Sequence, residues 1–212
     1  MIEYDGAAGA GVEGRMQGMA GRIWRRIRQF MRGVTASVSA EDLQRAAQLL
    51  PTAGLTRFQQ MPVDAQRHSL NVLSSLQEAG WDDADLAAAA LLHDAGKLAA
   101  AKAGLTFNAW VRTALVLMEA FAPGLAARLG VEDAKGGWRY LLHVHLTHAR
   151  IGARWAEADG CSPLTCWLIA HHQDKTGQGD VALNSPGRPE PQGAAEERMR
   201  LLTALQWADS QN

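Results

Sequence analysis

Helical spacing of apolar residues is the feature that most limits what this chain can fold into. No stretch alternates apolar and polar residues with the β-branched types that are typical of strands. Instead, segments rich in Ala and Leu are separated by Pro, Gly and potential capping residues. These patterns predict an all-α fold, in which packed helices supply the hydrophobic core.

Capping and terminating residues predict where the helices begin and end. Ser39 opens a helix through Leu50 that Pro51 stops. A helix from Val63 ends near Ala79, because Gly80 follows. The further predicted segments are Leu55–Met61, Asp82 or Asp83 to about Ala101, Asn108–Ala122, Gly137–Ala158, Ser162–His172 and Ala194–Ala208.

Composition divides the chain into three parts. Residues 1–14 form a predicted Gly-rich tail, residues 15–62 a helical extension, and residues 63–212 the main domain, with a Pro- and Gly-rich loop at about 174–193. The 212 residues are 47% hydrophobic and 20% charged, as in ordinary globular proteins. We expect a cytoplasmic protein, because we find no signal peptide, no apolar run of about 18 residues and only two cysteines.

Positive charge is concentrated near the N-terminus, although the net charge is only −1. The segment Arg15–Arg32 contains six arginines and no acidic residue, and its apolar residues recur at helical spacing. We predict a basic amphipathic helix whose apolar stripe docks on the protein's own core. Contact with an anionic membrane or a partner protein is the alternative. The net charge gives no reason to expect a specific nucleic-acid partner.

The pair His93-Asp94 interrupts a strongly apolar segment. Leu86–Leu92 is almost wholly apolar, so we expect His93 and Asp94 to be partly buried, where polar groups need partners. A divalent metal ion would satisfy them, and helical bundles build such sites with ligands from several helices. The chain from His68 to His93 spans two helical segments and a turn, which can fold back to bring the two side chains together.

The doublet His171-His172 bears on the number of ions. Neighbouring side chains on a helix diverge by about 100°, so these two cannot easily chelate one ion together. Each could serve one of two ions, with Asp94 as the bridging carboxylate. The alternative is that one histidine is a ligand and the other contacts substrate or solvent. Fe, Mn, Zn, Co and Ni all accept such ligands, so the identity of the metal stays open.

An ordered set of histidines and aspartates resembles that of the HD-domain superfamily of metal-dependent phosphohydrolases. The set comprises His68, His93-Asp94, His148, His171-His172 and Asp209. The resemblance covers about residues 63–210 and is closest to the branch with extra histidines that includes cyclic-dinucleotide phosphodiesterases. The Gly-Tyr-Pro motif of that branch is lacking, since Gln173-Asp174-Lys175 follows the doublet. An HD-type helical bundle is implied for residues 63–212.

The resemblance implies roles for individual residues. The core metal ligands would be His68, His93, Asp94 and Asp209, and the ligands of a second metal would be His148, His171 and His172. Asp94 and Lys97 would be the catalytic residues. Lys97 lies in the stretch that matches His-Asp-x-Gly-Lys, which places it beside the substrate phosphate. The implied reaction is the hydrolysis of a phosphoester by a metal-activated hydroxide.

Lys97 and three further side chains are candidates for binding the substrate. Arg67 and Arg150 lie close to predicted ligands in sequence, and His145 lies one helical turn before His148. The expected substrate is a nucleotide or cyclic dinucleotide, cleaved as a phosphodiester or a phosphomonoester. Two alternatives stay open: a di-iron HD-fold oxygenase and a noncatalytic, metal-binding regulatory HD module.

Overall fold

The computed structural model describes residues 37–106, 111, 114–115, 118, 121–174 and 193–212. Every regular element within these ranges is helical, which confirms the predicted all-α fold. Several predictions lie outside the described residues: the tail at residues 1–14, the Arg15–Arg32 helix, most of the Asn108–Ala122 helix and nearly all of the loop at 174–193.

The described helices are labelled in chain order. They are α1 (Ala40–Leu49), α2 (Thr52–Gln60), α3 (Val63–Glu78), α4 (Ala84–Leu92), α5 (Leu98–Lys102), α6 (Pro123–Leu129), α7 (Trp138–Ala158), α8 (Pro163–His171) and α9 (Ala194–Gln211). Short 3₁₀ turns at Ala95–Lys97 and Ala134–Gly136 precede α5 and α7. None of the helices in the described ranges combines the length and the apolar character that crossing a membrane requires.

Capping side chains begin three helices at the predicted positions. One of them is α4, where the Asp83 carboxylate accepts the Leu86 N–H. The Ser39 hydroxyl accepts the Asp42 N–H and the Asp42 carboxylate accepts the Ser39 N–H, which closes a capping box at the start of α1. The Ser162 hydroxyl accepts the Thr165 N–H at the start of α8. Gly80 follows α3 with φ +82°, in the left-handed conformation that favours glycine at a helix end.

Helix α4 is the centre of the main hydrophobic core. Every residue from Leu86 to Leu92 is buried. Helices α3, α8 and α9 pack around α4 and contribute Leu73, Leu168 and Leu205, all fully buried. Burying one such leucine stabilises the fold by about 1.5–3 kcal/mol. A second cluster joins α5, α6 and α7 through Ala99, Ala100, Ala126, Leu141 and Leu142.

The prediction that this helix extends to about Ala101 is wrong, because α4 ends at Leu92. The chain instead turns through His93, Asp94 and the 3₁₀ turn before α5 begins. This turn packs closely on α7: a Cβ atom on Gly96 would lie 1.9 Å from the carbonyl oxygen of His148. The contact between these two backbones outweighs the helical propensity of the Ala-rich sequence. As a result, His93 and Asp94 stand at the end of a helix rather than along its surface.

Candidate metal centre

Four helices and the turn after α4 bring six of the predicted ligand residues into one cluster. The six are His68 on α3, His93 and Asp94 after α4, His148 on α7, His172 after α8 and Asp209 on α9. The ring centroid of His93 lies 5.3 Å from that of His68 and 5.2 Å from that of His172. The rings of His172 and His148 are 5.4 Å apart. The four imidazole rings therefore form a continuous row, in which each ring adjoins the next.

The first ligand group consists of His68, His93, Asp94 and Asp209. The candidate ligand atoms of His68, His93 and Asp94 all lie within 4.8 Å of one another. Asp209 adjoins them, with its Oδ1 atom 2.9 Å from His68 Nε2 and 3.6 Å from His93 Nε2. The side chains of His68 and Asp209 are 26% and 37% exposed, so this group opens to solvent.

The second ligand group consists of Asp94, His148 and His172, whose candidate ligand atoms also lie within 4.8 Å of one another. His148 Nε2 is 3.4 Å from Asp94 Oδ1. His148 is 0% and His172 5% exposed, so this group is buried. The other oxygen of the shared carboxylate, Asp94 Oδ2, lies 3.8 Å from His93 Nε2. Asp94 thus directs one oxygen towards each group, which is how a bridging carboxylate is placed.

Backbone carbonyls fix the orientation of three of the imidazole rings. Each ring places Nδ1 against the carbonyl three residues earlier: His93 on Ala90 at 2.9 Å, His148 on His145 at 2.8 Å and His172 on Ile169 at 2.8 Å. A carbonyl only accepts hydrogen bonds, so Nδ1 carries the hydrogen and donates it. Each Nε2 atom in the neutral ring then presents its lone pair to the cluster, as in histidines that bind metals.

Two buried nitrogen atoms in the cluster show that the residues present fit a metal ion. His93 Nε2 and His148 Nε2 are buried and find no hydrogen-bond partner among the described residues. Their closest carboxylate contacts are 3.4 Å or longer, beyond the usual range of about 2.7–3.2 Å for N–H···O bonds. A buried polar atom without a partner costs about 1–3 kcal/mol. Imidazole and carboxylate ligands suit a divalent transition metal, which would remove this cost.

Nearby cationic and imidazole groups keep the two carboxylates of the cluster ionised. Burial opposes the ionisation of Asp94, but Lys97 and His93 hold the pKa of this carboxyl well below its ordinary value. Burial also opposes the ionisation of Asp209, whereas contacts with His68 and His93 lower the pKa of this carboxyl. Both carboxylates are therefore in the charged form that coordinates a metal ion.

His93 and His172 differ in the direction in which their pKa values are shifted. Burial, together with the neighbouring His93 and His148, lowers the pKa of His172 to about 3. Burial also acts to lower the pKa of His93, but Asp94 and Asp209 outweigh it and raise the pKa above its ordinary value. At neutral pH His172 is thus uncharged and ready to bind a metal, whereas His93 holds its proton more tightly.

His171 is a predicted metal ligand that the structure places outside both ligand groups. Its Nδ1 atom lies 2.6 Å from Asp174 Oδ2, and its ring centroid is 4.6 Å from that of Trp167. The reason is the angle between neighbouring side chains at a helix end, since only His172 of the doublet faces the cluster. The doublet is therefore divided between the cluster and a contact near the surface of the bundle.

Lys97 lies where the sequence predicts a cation beside the site. Its Nζ atom is 2.7 Å from Asp94 Oδ2, and its side chain is 36% exposed. The 3₁₀ turn after Asp94 produces this contact, because it brings the two side chains to the same side of the backbone. Lys97 therefore pairs with the shared carboxylate while part of its side chain stays in contact with solvent.

The other residues predicted to contact substrate have different environments. The guanidinium of Arg67 donates hydrogen bonds to the Ser37 carbonyl, at 2.8 Å, and to the Asp42 carboxylate, which ties α3 to the start of α1. Arg67 therefore holds two parts of the fold together rather than facing the cluster. Arg150 is exposed. His145 supports the cluster through its backbone carbonyl, and its ring lies 6.5 Å from that of His148.

Sequence reasoning missed the three carbonyl groups that orient the rings. They belong to Ala90, His145 and Ile169, two of which are ordinary apolar residues. The only signal that the sequence carries for them is their spacing, since each carbonyl lies three residues before a candidate histidine ligand.

Comparisons with protein-family models, with curated proteins and with solved structures found no match. The case for this site rests on its geometry.

Proposed function

We propose that the protein is a metal-dependent phosphohydrolase of the HD-domain type and that its two ligand groups hold two divalent ions. The observation that carries the proposal is the position of Asp94 between the two groups. In two-metal hydrolases the ions lie about 3.5–4 Å apart and both stabilise an in-line displacement. A cluster that served only to stabilise the fold would not need a shared carboxylate, nor two buried imidazole nitrogens that lack a hydrogen-bond partner in the described part of the chain.

The proposed division of ligands follows the two groups. His68, His93, Asp94 and Asp209 would hold one ion, and Asp94, His148 and His172 the other. When bound, the ions would polarise a phosphoryl oxygen and lower the pKa of a water molecule towards neutrality. The residues of the chain set the geometry: the carbonyl-anchored rings keep their Nε2 atoms aimed inwards, and Asp94 stays ionised between them.

Lys97 is the residue that we propose to contact the substrate. Its ammonium group is held at Asp94 and is partly open to solvent, so a phosphoester that approaches from that side meets a positive charge first. A fixed cation stabilises the negative charge that the phosphoryl oxygens carry in the transition state. The resemblance to HD-domain enzymes favours a nucleotide or a cyclic dinucleotide as the phosphoester.

A metal-loaded substrate screen tests the proposal. The full chain is reconstituted with Mn²⁺, Fe²⁺, Co²⁺ or Zn²⁺ and incubated with nucleotides and cyclic dinucleotides, and the products are separated by chromatography. We expect metal-dependent hydrolysis that Asp94→Ala abolishes. The matched control is Asp64→Ala, which removes an exposed carboxylate from α3. Lys97→Ala should lose less activity than Asp94→Ala, because it leaves every ligand in place.

Three other outcomes of the screen would contradict the proposed phosphohydrolase function. Equal hydrolysis by the wild type and Asp94→Ala would assign the activity to a contaminant or to another site. Oxygen consumption in the iron-loaded protein without hydrolysis would identify a di-iron oxygenase. Metal binding without any turnover of the screened substrates would favour a regulatory module.

A further inference from the structure

Two glycines bring the turn after α4 into backbone contact with α7. A Cβ atom on Gly96 would lie 1.9 Å from the carbonyl oxygen of His148 and 2.8 Å from the nitrogen of Gly152. A Cβ atom on Gly152 would lie 3.2 Å from the nitrogen of Gly96 and 3.3 Å from Cγ2 of Ile169. Neither glycine has a positive φ, so space and not backbone conformation requires a small residue at both positions.

This contact lies where three elements of the fold meet, and each of them supplies one ligand of the second group. The three ligands are Asp94 from the turn, His148 from α7 and His172 from the end of α8. Gly152 touches the turn at Gly96 and touches α8 at Ile169. The same Ile169 provides the carbonyl that accepts the hydrogen bond of His172. The two glycines therefore set the separation of all three elements.

The rings of the second group have little freedom to adjust if their helices move. His148 is bonded through Nδ1 to the carbonyl of His145 on the same helix and is fully buried. Its position relative to Asp94 is therefore decided by where α7 lies against the turn, at the contact between Gly96 and Gly152. A displacement of α7 by a few tenths of an ångström would be passed directly to the His148 Nε2 atom, because close-packed interiors transmit such strain.

The first group is assembled differently. It shares Asp94 with the second group, but two of its other ligands, His68 and Asp209, come from α3 and α9. The atoms nearest to the two glycines belong instead to the turn, α7 and α8. A change at either glycine should consequently affect one ligand group far more than the other.

We propose that the contact between Gly96 and Gly152 is the device that positions the second ligand group, and that these glycines are positioning residues for the second ion. The inference rests on the proposed binding of two ions. It goes beyond the ligand set, because it assigns a function in metal affinity to two residues that have no side chain to coordinate with.

Metal titration of the glycine variants of the full chain tests this inference. Co²⁺ is titrated into metal-free protein, and binding is followed by calorimetry and by the visible absorption of the bound ion. Gly152→Ala should weaken the binding of the second ion by about 10- to 100-fold, the usual effect of disturbing the residues that orient a ligand. Gly96→Ala should weaken it more, since its Cβ atom would overlap the backbone of α7. The first ion, which shares only Asp94 with the second group, should lose far less affinity in either variant.

Control variants and outcomes keep the inference falsifiable. Gly124→Ala on α6 is the matched control, because a Cβ atom there would meet nothing within 4 Å. If Gly96→Ala does not fold, the milder Gly152→Ala decides the matter. Wild-type affinity for both ions in Gly152→Ala would overturn the inference, as would an equal loss of both ions. Failure of the wild type to bind two ions would instead overturn the proposed function, so the two failures can be told apart.

Discussion

The two ligand groups share Asp94 but are built in different ways. The first adds His93 and two side chains from α3 and α9, His68 and Asp209, which contact each other and are partly open to solvent. The second is enclosed by the turn, α7 and α8, and its two imidazoles are almost completely buried. Buried imidazoles cannot satisfy their nitrogen atoms by contacting water, so the second group depends on an ion more than an exposed group does. We therefore expect the second group to retain its ion and the first to exchange it.

The largest expected effect comes from removing the residue that the two groups share. Asp94→Ala should leave the chain unable to bind either ion with the wild-type affinity, because each group loses its common carboxylate. Mass spectrometry of the bound metal, after dialysis, measures the content per chain. Retention of two ions by Asp94→Ala would show that the groups do not depend on a bridge, and Asp64→Ala again serves as the control.

Single-group variants should separate the two sites. His148→Gln is expected to lose only the ion of the second group, and Asp209→Asn to weaken only the ion of the first. The double variant should then lose both ions, and the losses in binding free energy should add if the groups are independent apart from Asp94. Calorimetry of the three proteins tests this. Loss of the same ion in both single variants would contradict the division into two groups.

Exposure should set the rate at which each ion leaves. When excess chelator is added to the fully loaded protein, we expect a fast phase from the first group and a slow phase from the second, since only the first opens to solvent. Absorption of a chromogenic chelator measures both phases. Asp209→Asn should remove the fast phase. A single phase with the amplitude of two ions would contradict the contrast in burial.

Acid should release the ion of the first group before that of the second. Protons and metal compete for imidazole, and His93 holds its proton more tightly than an ordinary histidine because Asp94 and Asp209 outweigh the effect of burial. Burial lowers the pKa of His172 to about 3, so protons compete with metal there only at much lower pH. Titrating metal at stepwise lower pH should therefore weaken the first ion first. The reverse order would contradict these environments.

The smallest effect is expected from His171. His171→Ala should leave two ions bound, because its ring contacts Asp174 and Trp167 rather than the cluster. The contact with Asp174 is partly exposed, so its loss should lower the free energy of unfolding by about 0–1 kcal/mol. Metal content and thermal unfolding measure the two effects. Loss of an ion in this variant would restore His171 to the ligand set.

Much of the fold could be predicted because local signals and tertiary packing agree. Ser39 and Ser162 start helices where their hydroxyl groups can accept a backbone N–H, and Gly80 ends a helix in the left-handed conformation. The apolar segment Leu86–Leu92 is the centre of the core, as its composition indicates. The same composition predicts that His93 and Asp94 are partly buried and need partners, whereas the full ligand set comes from the resemblance to HD-domain sequences.

The rest depends on contacts between segments that are distant in sequence. The Ala-rich helix predicted through Ala101 ends at Leu92, because the turn that follows it must pack on α7. The sequence also does not decide which histidine of the doublet faces inwards, since that depends on the rotation of α8. Gly152 is visible in the sequence as a single glycine within a long helical pattern. The reason for a glycine there is the backbone of Gly96, which only the folded structure places beside it.

The most direct test of two ligand groups sharing one carboxylate is anomalous diffraction from crystals of the Mn²⁺-loaded protein. We expect two anomalous peaks about 3.5–4 Å apart, one on each side of Asp94, with His68, His93 and Asp209 around one peak and His148 and His172 around the other. A saturated crystal with a single peak in the cluster, or with peaks that Asp94 does not bridge, would contradict this expectation.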